Sequence, residues 1–452
     1  MGRPKIFRDP VHGQLVYERM RTGAAVSGEY SDKGLGWAVQ SIVDCPEFQR
    51  LRHVRQDGLV NLVFQGAEHS RFTHSMGAAY LAREMYDRVV RNMDEVPDSR
   101  LRTLSCLGAL LHDVGHGPFS HTLEEILAAA GLPFRHEHMT VRLMEEDTEI
   151  RKVLVQIDPA LPAELADLID KQRRRTDHWT QRLVSSQLDA DRLDYLLRDA
   201  LFAGVQGHGF DLPRLLDNLH HLDGSRIAVH RKALAAVEAY MLMQDQMYRA
   251  VYYHHAVRAA SFLLGSTLRR ALVLFRDGVE AVFPAGFSGA PHPFRALAVA
   301  GERVPIDAYV RLGEYHLWAL VEDWQHAKDP VLADLSRRLM RRALFKTIDV
   351  DPMDHEQLVR LEGRARDLVK AELGFVTDAT VDHYVCIDTP SRSSYVPYDF
   401  RSDAPDESIW IVGIADPCPV EDFTESRIVA ALKDTKFFPR MIFPPEIREQ
   451  EL

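Results

Sequence analysis

Residues 110–121 (LLHDVGHGPFSH) bring together side chains that bind metal ions and side chains that transfer protons. His112 stands directly before Asp113, and His116 and His121 follow in a turn that contains glycine. A histidine and an aspartate that are neighbours in sequence reach one cation only where the backbone is held, as at a helix end. The segment therefore predicts a metal site at the end of a helix.

Two further ligand-type residues lie outside this segment. His74 lies upstream in SRFTHSMGAAYLA, and Asp191 lies downstream in LDADRLDYLLRD. A single histidine in a helix is more often a hydrogen-bonded structural residue than a metal ligand, but here four candidates occur in order. Two imidazoles and two carboxylates form a mixed nitrogen and oxygen set that suits Fe, Mn, Zn or Mg better than an ion that prefers thiolates.

The segments that carry these side chains have apolar residues at three- and four-residue spacing, which predicts helices. The pattern runs through GAAYLAREMYDRVVRNM and LRTLSCLGALLHDV, and the sequence DSR before Leu101 marks a helix start. Residues 48–275 are expected to be mostly helical, and LDGSRIAVHRKAL predicts a turn and a short strand before one long helix that ends near Phe275. The Gly/Ser-rich residues 22–37 are expected to form an exposed hairpin.

After Gly374 the sequence changes character. VDHYVCID and SIWIVGIA are alternating, β-branched stretches that predict strands, and DFTESRIVAALKDT predicts a capped helix. The predicted fold is mainly α with a small C-terminal α+β region. The expected divisions are an N-terminal segment at 1–47, a helical domain at 48–350 and the C-terminal region at 351–452.

The composition is that of an ordinary globular protein, with 46% hydrophobic and 27% charged residues among 452. A net charge of −11 disfavours general nucleic-acid binding. Clusters of arginine are nevertheless compatible with a local basic groove. The four cysteines form no CxxC pair, which favours a reducing cytoplasm over a thiolate zinc site. No apolar run has the length of a membrane span, so we expect a cytoplasmic protein without membrane contact.

Seven strings across residues 5–346 carry a resemblance to one family. They are KIFRDPVHG, DCPEFQRLRHVRQ, VFQGAEHSRFTHS, LLHDVGHGPFSH, RHEH, DADRLDYLLRD and RRALFK. The order His…His-Asp…Asp is the signature of the HD phosphohydrolase superfamily. Within it, the chain resembles the deoxynucleoside triphosphate (dNTP) triphosphohydrolases, which include SAM-and-HD-domain enzymes and bacterial dGTPase-like relatives, although no SAM domain is recognised here. The resemblance implies that the helical core is an HD domain.

The resemblance also implies a role for each residue near the signature. It implies that a divalent metal is bound by His74, His112, Asp113 and Asp191. The histidines that would line the phosphate path are His116, His121 and His136. The one at position 121 is expected to protonate the leaving group, oriented by the carboxylate of Glu124 one helical turn on. The family usually has aspartate at this last position, so the longer glutamate predicts a looser pair.

Substrate contacts are implied in the same way. Arg71 matches a phosphate-binding arginine, whose guanidinium fork suits phosphate geometry. The positions that hold the deoxyribose and its 3′-hydroxyl are matched by Gln56, Asp189, Tyr195, Asp199 and Tyr252. In the family, a tyrosine beneath the sugar leaves no room for an extra hydroxyl group. Taken alone, Tyr195 in DRLDYLLRD also fits ordinary helix packing.

A second set of matches concerns regulation. The residues that would bind an activating nucleotide between subunits are Lys5, Asp44, Gln49, Arg52, Arg214, Lys232, Arg342 and Lys346. This set implies a homo-oligomer, a tetramer or a dimer of dimers, with guanine nucleotide as effector. The alternative is that DCPEFQRLR is a helix start capped by its aspartate, with solvated charges around it.

Four positions depart from the regulated enzymes. Asp57 stands where they have a small apolar residue against the sugar, and Gln244 where they have an arginine near the γ-phosphate. Tyr248 replaces a histidine, and His255 replaces a lysine. These changes predict weaker discrimination between deoxyribose and ribose and a weaker need for the γ-phosphate. The alternative for Asp57 is that it only caps the turn at Gly58.

The predicted function is therefore metal-dependent hydrolysis of dNTPs to deoxynucleoside and inorganic triphosphate. Two alternatives stay open. The first is another HD phosphohydrolase, either a nucleotidase or a single-strand phosphodiesterase or nuclease. The second is a nucleotide-sensing oligomeric scaffold with little catalysis, in which the C-terminal region is the output module.

Overall fold

The computed structural model of the protein describes residues 3–20, 24–173, 177–206, 209–285, 289–351, 354–392, 408–423, 427–432 and 436–452. Nineteen α-helices in these residues make up most of the fold. They are α1 Asp32–Val43, α2 Pro46–Gln49, α3 Arg71–Asn92, α4 Ser99–Leu111, α5 His121–Ala129, α6 His136–Glu145, α7 Glu149–Ile157, α8 Leu161–Ile169, α9 Trp179–Arg182, α10 Ala190–Ala203, α11 Leu212–Leu216, α12 Leu234–Met247, α13 His255–Arg276, α14 Pro293–Ala300, α15 Ile306–Val310, α16 Glu314–Trp324, α17 Pro330–Met340, α18 His355–Glu372 and α19 Arg427–Leu432.

Short strands accompany the helices in the described residues. They are β1 Lys5–Asp9, β2 Gly13–Tyr17, β3 Leu219–Leu222, β4 Arg226–His230, β5 Lys346–Asp349, β6 Cys386–Asp388, β7 Ser391–Arg392, β8 Trp410–Val412, β9 Cys418–Pro419, β10 Lys436–Phe437 and β11 Arg440–Phe443. They form four small sheets, ordered β1-β2, β3-β4-β8-β9, β5-β11-β6 and β10-β7. The prediction of a mainly α fold with small C-terminal strands is confirmed.

Two of the sheets join the C-terminal region to the helical body. Strand β11 lies between β5 and β6, so that Met441 pairs with both Ile348 and Ile387. Strand β8 extends the β3–β4 hairpin by pairing with β4 in parallel, with Trp410 opposite Ala228. Backbone hydrogen bonds therefore hold the C-terminal strands directly against strands that follow α11 and α17.

The centre of the helical body is formed by α3, which packs against α4 and α10. Apolar residues at three- and four-residue spacing along α3, including Leu81, Met85 and Val89, are fully buried. Asp98 begins α4 as predicted, since its carboxylate accepts hydrogen bonds from the backbone N–H groups of Arg100 at 2.8 Å and Leu101 at 3.1 Å. These three helices carry the predicted metal ligands.

The prediction of an exposed hairpin at residues 22–37 is wrong. Residues from Asp32 onwards belong to α1, and the side chain of Ser31 caps that helix; Thr22 and Gly23 lie outside the described residues. Gly36 is buried in α1, and a Cβ atom there would lie 2.0 Å from the backbone oxygen of Glu18. Glycine is therefore needed for close packing, whereas in the sequence it resembles a turn former.

The prediction of one long helix ending near Phe275 is also only partly right. The strand before it is present as β4, but the helix is divided into α12 and α13. A π-helical turn at Tyr248–Tyr252 separates them, and the ring of His254 caps α13 by accepting from the N–H of Ala256 at 3.3 Å. Single π-turns within helices are frequent at functional sites because they change the direction of side chains.

Among the described residues, we find no helix that combines the length and the apolar character needed to cross a bilayer.

Candidate active site

The four predicted ligand side chains converge where α3, the end of α4 and the start of α10 meet. His74 Nε2 lies 3.0 Å from Asp191 Oδ1 and 3.4 Å from His112 Nε2. His112 Nε2 lies 3.3 Å from Asp113 Oδ1. Nitrogen and oxygen ligands about 2.1 Å from one ion lie about 3.0 to 3.4 Å from each other, depending on geometry. The donor atoms and their spacing therefore fit one divalent metal ion.

Each histidine of the set is oriented through its other ring nitrogen. His112 Nδ1 donates to the backbone oxygen of Ala109 at 2.7 Å, and His74 Nδ1 donates to Asp194 Oδ2 at 2.8 Å. Because Nδ1 of each ring is taken by an acceptor, Nε2 is the nitrogen that each ring can offer to a metal ion. Such partners fix the tautomer and orientation of metal-binding histidines.

Asp194 is the centre of a buried network that sequence reasoning missed. Besides His74, it accepts hydrogen bonds from His12 Nε2 at 2.7 Å and from Arg198 Nε and Nη2, both at 2.8 Å. Burial opposes its charge, but Arg198 and the hydrogen bonds hold the pKa of Asp194 well below its usual range. Gly77 permits this approach of α10 to α3, because a Cβ atom there would lie 1.9 Å from Asp194 Oδ1.

The charges of the site favour a cation. Burial opposes ionisation of Asp113 and Asp191, but Arg71 and two histidines hold the pKa of Asp113 well below its usual range, and His112 and His74 lower that of Asp191. Burial opposes the charged form of His74, but Asp191 and Asp194 raise its pKa to about 10, so a metal ion that binds Nε2 must displace a proton. Carboxylates that stay ionised in a buried site attract positive charge.

The three predicted catalytic histidines form a second cluster beside the metal ligands. The rings of His116 and His136 stack with centroids 3.7 Å apart, and the His121 ring meets them edge-on at 5.1 and 5.5 Å. His116 Nε2 lies 3.3 Å from Asp113 Oδ1. Burial, followed by the charges of neighbouring groups, lowers the pKa of His116 well below its usual value, which keeps its ring neutral.

Glu124 lies closer to His136 than to the histidine with which it was predicted to pair. Its Oε1 lies 2.6 Å from His136 Nδ1, whereas its Oε2 lies 3.5 Å from His121 Nδ1. The His121 side chain is 68% exposed, so this end of the cluster is open to substrate and solvent. The looser pair expected from the longer glutamate agrees with these distances, and the catalytic roles stay predictions.

A strained turn delivers His121 to the cluster. Phe119 and Ser120, directly before it, both have positive φ angles, 60° and 51°, which non-glycine residues adopt only under constraint. Ser120 Oγ accepts from Arg71 Nε at 2.9 Å, and the buried carboxylate of Glu314 takes the backbone N–H of Phe119. Ser120 and Glu314 therefore support the site, although none of the sequence motifs points to a role for them.

A cavity of about 450 Å³ opens in front of the metal ligands. Five of the six predicted substrate residues line it: Gln56, Arg71, Tyr195, Asp199 and Tyr252. Arg71 spans part of its wall, because its guanidinium contacts both the Asp113 carboxylate and, at 3.2 Å, the backbone oxygen of Gln56. The structure thus brings most of the predicted substrate residues and the predicted metal ligands into one cavity.

Asp189 is placed differently from the other predicted substrate residues. Its carboxylate caps α10 by accepting from the N–H of Arg192 at 2.8 Å and from that of Ser186 at 2.9 Å. It lines a second cavity of about 340 Å³, which shares His112, His136 and Asp191 with the first and also contains Arg135, Lys171 and Arg192. The predicted metal centre can thus be reached from two sides, and the contact of Asp189 with a sugar stays a prediction.

Most of the predicted effector residues lie on the surface. The exposed ones are Asp44, Arg52, Arg214, Lys232, Arg342 and Lys346, whereas Lys5 and Gln49 are half-buried. The alternative that the aspartate caps the helix start is wrong, since the N-cap of α2 is Cys45 and has no side-chain capping bond. Gln49 accepts from Arg52 Nε at 2.8 Å, and Arg214 donates to the backbone oxygen of Lys232 at 3.0 Å. Binding of an effector by these groups stays a prediction.

Comparison with known proteins agrees with this geometry. The HD domain model matches residues 71–199, which hold all four predicted metal ligands, and the HD associated region matches residues 210–281. The uncharacterised protein YwfO of Bacillus subtilis is 35% identical over 402 residues, which are 88% of this chain and 82% of YwfO. The chain belongs to the HD domain family.

More distant relatives of this HD-family protein include enzymes with a named activity. The chicken (Gallus gallus) deoxynucleoside triphosphate triphosphohydrolase SAMHD1 is 26% identical over 376 residues, 76% of this chain and 55% of that protein. The chain thus spans about half of SAMHD1. The crystal structure of a phosphohydrolase from Bacteroides thetaiotaomicron superposes with a TM-score of 0.76 at 26% identity, covering 97% of this chain and 99% of the other. Together with the donor set, these likenesses support a metal-dependent phosphohydrolase.

Proposed function

We propose that this protein hydrolyses dNTPs at the α-phosphorus and releases deoxynucleoside and inorganic triphosphate. The observation that carries the proposal is the single cavity of about 450 Å³ in which metal ligands, phosphate-type contacts and sugar-type contacts face one another. The likeness to SAMHD1, which bears that activity in its name, supports this choice of substrate.

His74, His112, Asp113 and Asp191 would hold the metal, since their donor atoms lie together at ligand spacing. When bound, a divalent ion polarises a phosphoryl oxygen and lowers the pKa of a neighbouring water molecule. The protein's part is to fix these donors before substrate arrives, through the hydrogen bonds that orient the two imidazoles.

The remaining groups bind and orient the substrate. Arg71, buried beside Asp113 and held by Ser120, offers a planar guanidinium to the phosphate group. Tyr195 and Tyr252, whose ring centroids lie 6.4 Å apart, form a wall against the sugar. This arrangement holds the α-phosphorus over the donor set.

His121 acts on the leaving group. Water adds to the α-phosphorus as the bond to O5′ breaks, and the departing oxygen takes a proton from the imidazole. The exposed position of His121 at the start of α5 lets it reach the nucleoside side of the cavity. Glu124 stabilises the protonated ring from 3.5 Å, and we expect the distance to shorten when substrate fills the cavity.

Regulation and assembly belong to the same proposal. We place a guanine nucleotide between subunits of a homo-tetramer or dimer of dimers, bound by the predicted effector residues. Six of these eight residues are exposed, which leaves them accessible to another subunit and to a triphosphate.

One observation favours a second candidate, a phosphodiesterase that acts on single strands. The cavity of about 340 Å³ continues beyond His112 and Asp191 and has basic side chains in its wall. A strand could place one nucleotide in each cavity, with the scissile phosphate between them, whereas a mononucleotide fills only one.

The test is to incubate the purified protein with each dNTP and NTP and with single-stranded oligonucleotides, in Mg²⁺, Mn²⁺ or Fe²⁺, and to identify the phosphate product. Metal-dependent release of inorganic triphosphate supports the first proposal. Strand cleavage supports the second, and orthophosphate release would contradict both. The variant Asp113→Asn serves as the control for contaminating activity.

A further inference from the structure

The end of the cavity near Gln56 contains a second cluster of buried polar groups. His69 Nε2 lies 2.8 Å from Asp199 Oδ1 and 3.5 Å from Asp57 Oδ2. Tyr252 donates its hydroxyl hydrogen to Asp199 Oδ2 at 2.5 Å. The side chains of His69 and Asp199 are 1% exposed and that of Asp57 is 9% exposed.

A count of donors and acceptors leaves three buried acceptors without a donor, and one of them, His69 Nδ1, belongs to a residue that does not line the cavity. Both oxygens of Asp199 are taken, one by His69 and one by Tyr252. Asp57 Oδ2 and Gln56 Oε1 are buried and have no hydrogen-bond partner among the described residues. A buried acceptor without a donor costs free energy, so native proteins rarely keep one unless a ligand or water supplies the donor. Both residues line the cavity, so a ligand can reach them.

The position of the cluster suits the sugar of a nucleotide whose phosphate lies at the metal ligands. The guanidinium of Arg71 donates both to the carboxylate of Asp113 and to the backbone oxygen of Gln56. One side chain therefore separates the predicted metal site from Gln56 and Asp57. The bland alternative, that Asp57 only caps the turn at Gly58, does not account for a carboxylate that lies beside His69 and Asp199 in the cavity wall.

A cation explains the cluster less well than hydroxyl groups do. Asp57, His69 and Asp199 lie close enough to share an ion. However, His69 Nε2 donates to Asp199 and so has no lone pair to offer, and Asp199 already accepts two hydrogen bonds from neutral donors. The two acceptors in the cavity wall, Asp57 Oδ2 and Gln56 Oε1, lack donors, and two adjacent hydroxyl groups supply them.

We propose that Asp57 and Gln56 accept hydrogen bonds from a vicinal diol, so that the protein binds and hydrolyses ribonucleotides as well as deoxyribonucleotides. This inference rests on the proposed nucleotide hydrolysis at the same site. Burial and the charge of Asp199 raise the pKa of Asp57 to about 8. The carboxyl group is therefore neutral near pH 7, and its carbonyl oxygen still accepts a hydrogen bond from a hydroxyl group.

The experiment compares kcat/KM for matched ribo-, 2′-deoxy- and 2′-O-methyl-nucleoside triphosphates in wild type, Asp57→Leu and Asp57→Asn. We expect wild type to use ribo and deoxy substrates within about tenfold of each other. We expect Asp57→Leu to lose about 10- to 100-fold on the ribonucleotide and less than about threefold on the deoxynucleotide, the factor expected when a buried hydroxyl group of the ligand loses its acceptor. The 2′-O-methyl substrate, which lacks the donor, should not respond to the substitution.

Three results would overturn the inference. These are a wild-type preference for deoxyribose above about 100-fold, an equal effect of Asp57→Leu on both sugars, and a second metal ion per chain that Asp57→Leu removes. If no nucleotide is hydrolysed but bis(4-nitrophenyl) phosphate is, the proposed function fails by itself. Calorimetry with the same nucleotides in wild type and Asp57→Leu then decides the inference, since absent binding of the ribonucleotide, or an equal effect of the substitution on both sugars, contradicts it.

Discussion

Replacing Asp194 with asparagine should weaken metal binding although Asp194 is not a ligand. Each carboxylate oxygen takes two donors: Oδ1 accepts from His12 and from Arg198 Nη2, and Oδ2 accepts from His74 Nδ1 and Arg198 Nε. An amide has only one oxygen, so its NH₂ group must face one of these donor pairs. Either His74 or His12 then loses its acceptor.

The size of the effect follows from these contacts. Loss of the acceptor that orients a metal-binding histidine typically costs about 10- to 100-fold in metal affinity. Breaking a buried ion pair costs about 3–5 kcal/mol, but Arg198 keeps Asp9 at 2.9 Å as a second partner. We therefore expect a loss at the lower end, about 3 kcal/mol in the free energy of unfolding.

Metal affinity is measured by competition with a chelator and stability by denaturant unfolding. Asp334→Asn is the matched control, because Asp334 also pairs with the arginine four residues on, and that Arg338 also keeps a second carboxylate, Glu446. The control should lose stability without losing metal. Unchanged metal affinity in Asp194→Asn, together with the expected loss of stability, would refute the orienting role.

Four further predictions follow from the site. Asp113→Asn and His112→Ala should lose metal and activity together while circular dichroism stays helical, and full metal occupancy would contradict the ligand assignment. His121→Ala should lower kcat by about 10²–10⁴-fold at unchanged metal content, and a normal rate would show that the leaving group needs no acid. Burial raises the pKa of Asp57 from 3.8 to about 8. Between these pH values the folded state binds a proton that the unfolded state has lost, so the free energy of unfolding falls as pH rises. Asp57→Asn should reduce this pH dependence of the melting temperature in thermal melts. Light scattering should show a homo-oligomer that guanine nucleotide stabilises, which a nucleotide-insensitive monomer would contradict.

The residues of the candidate metal site could be found from the sequence because each lies in or beside a distinctive string and the strings occur in a fixed order. The helices that carry them could be predicted as well, since the apolar spacing of α3 and the capping aspartate of α4 are local features.

The supports of the site could not be predicted in the same way. His12 is separated from Asp194 by 182 residues, and Arg55 from Glu314 by 259. Contacts at such distances follow from the packing of whole helices and leave no periodic pattern in either segment. The wrong prediction of a hairpin at residues 22–37 has a related cause. Gly36 allows the backbone of Glu18 to pack closely against α1, and this contact cannot be inferred from the glycine alone.

Residues of the C-terminal region support the wall of the cavity, which argues against a separate output module there. Arg258 lines the cavity, and Asp388 of strand β6 holds its guanidinium through two hydrogen bonds of 2.9 and 2.6 Å. The neighbouring Tyr253, also in the cavity wall, packs its ring 5.6 Å from that of Phe438 and receives a hydrogen bond on its backbone oxygen from Arg440. The residue that follows the π-helical turn and the start of α13 are thus held by strands that come 130 or more residues later in the chain. Any change in how those strands pair would move the wall that faces the substrate.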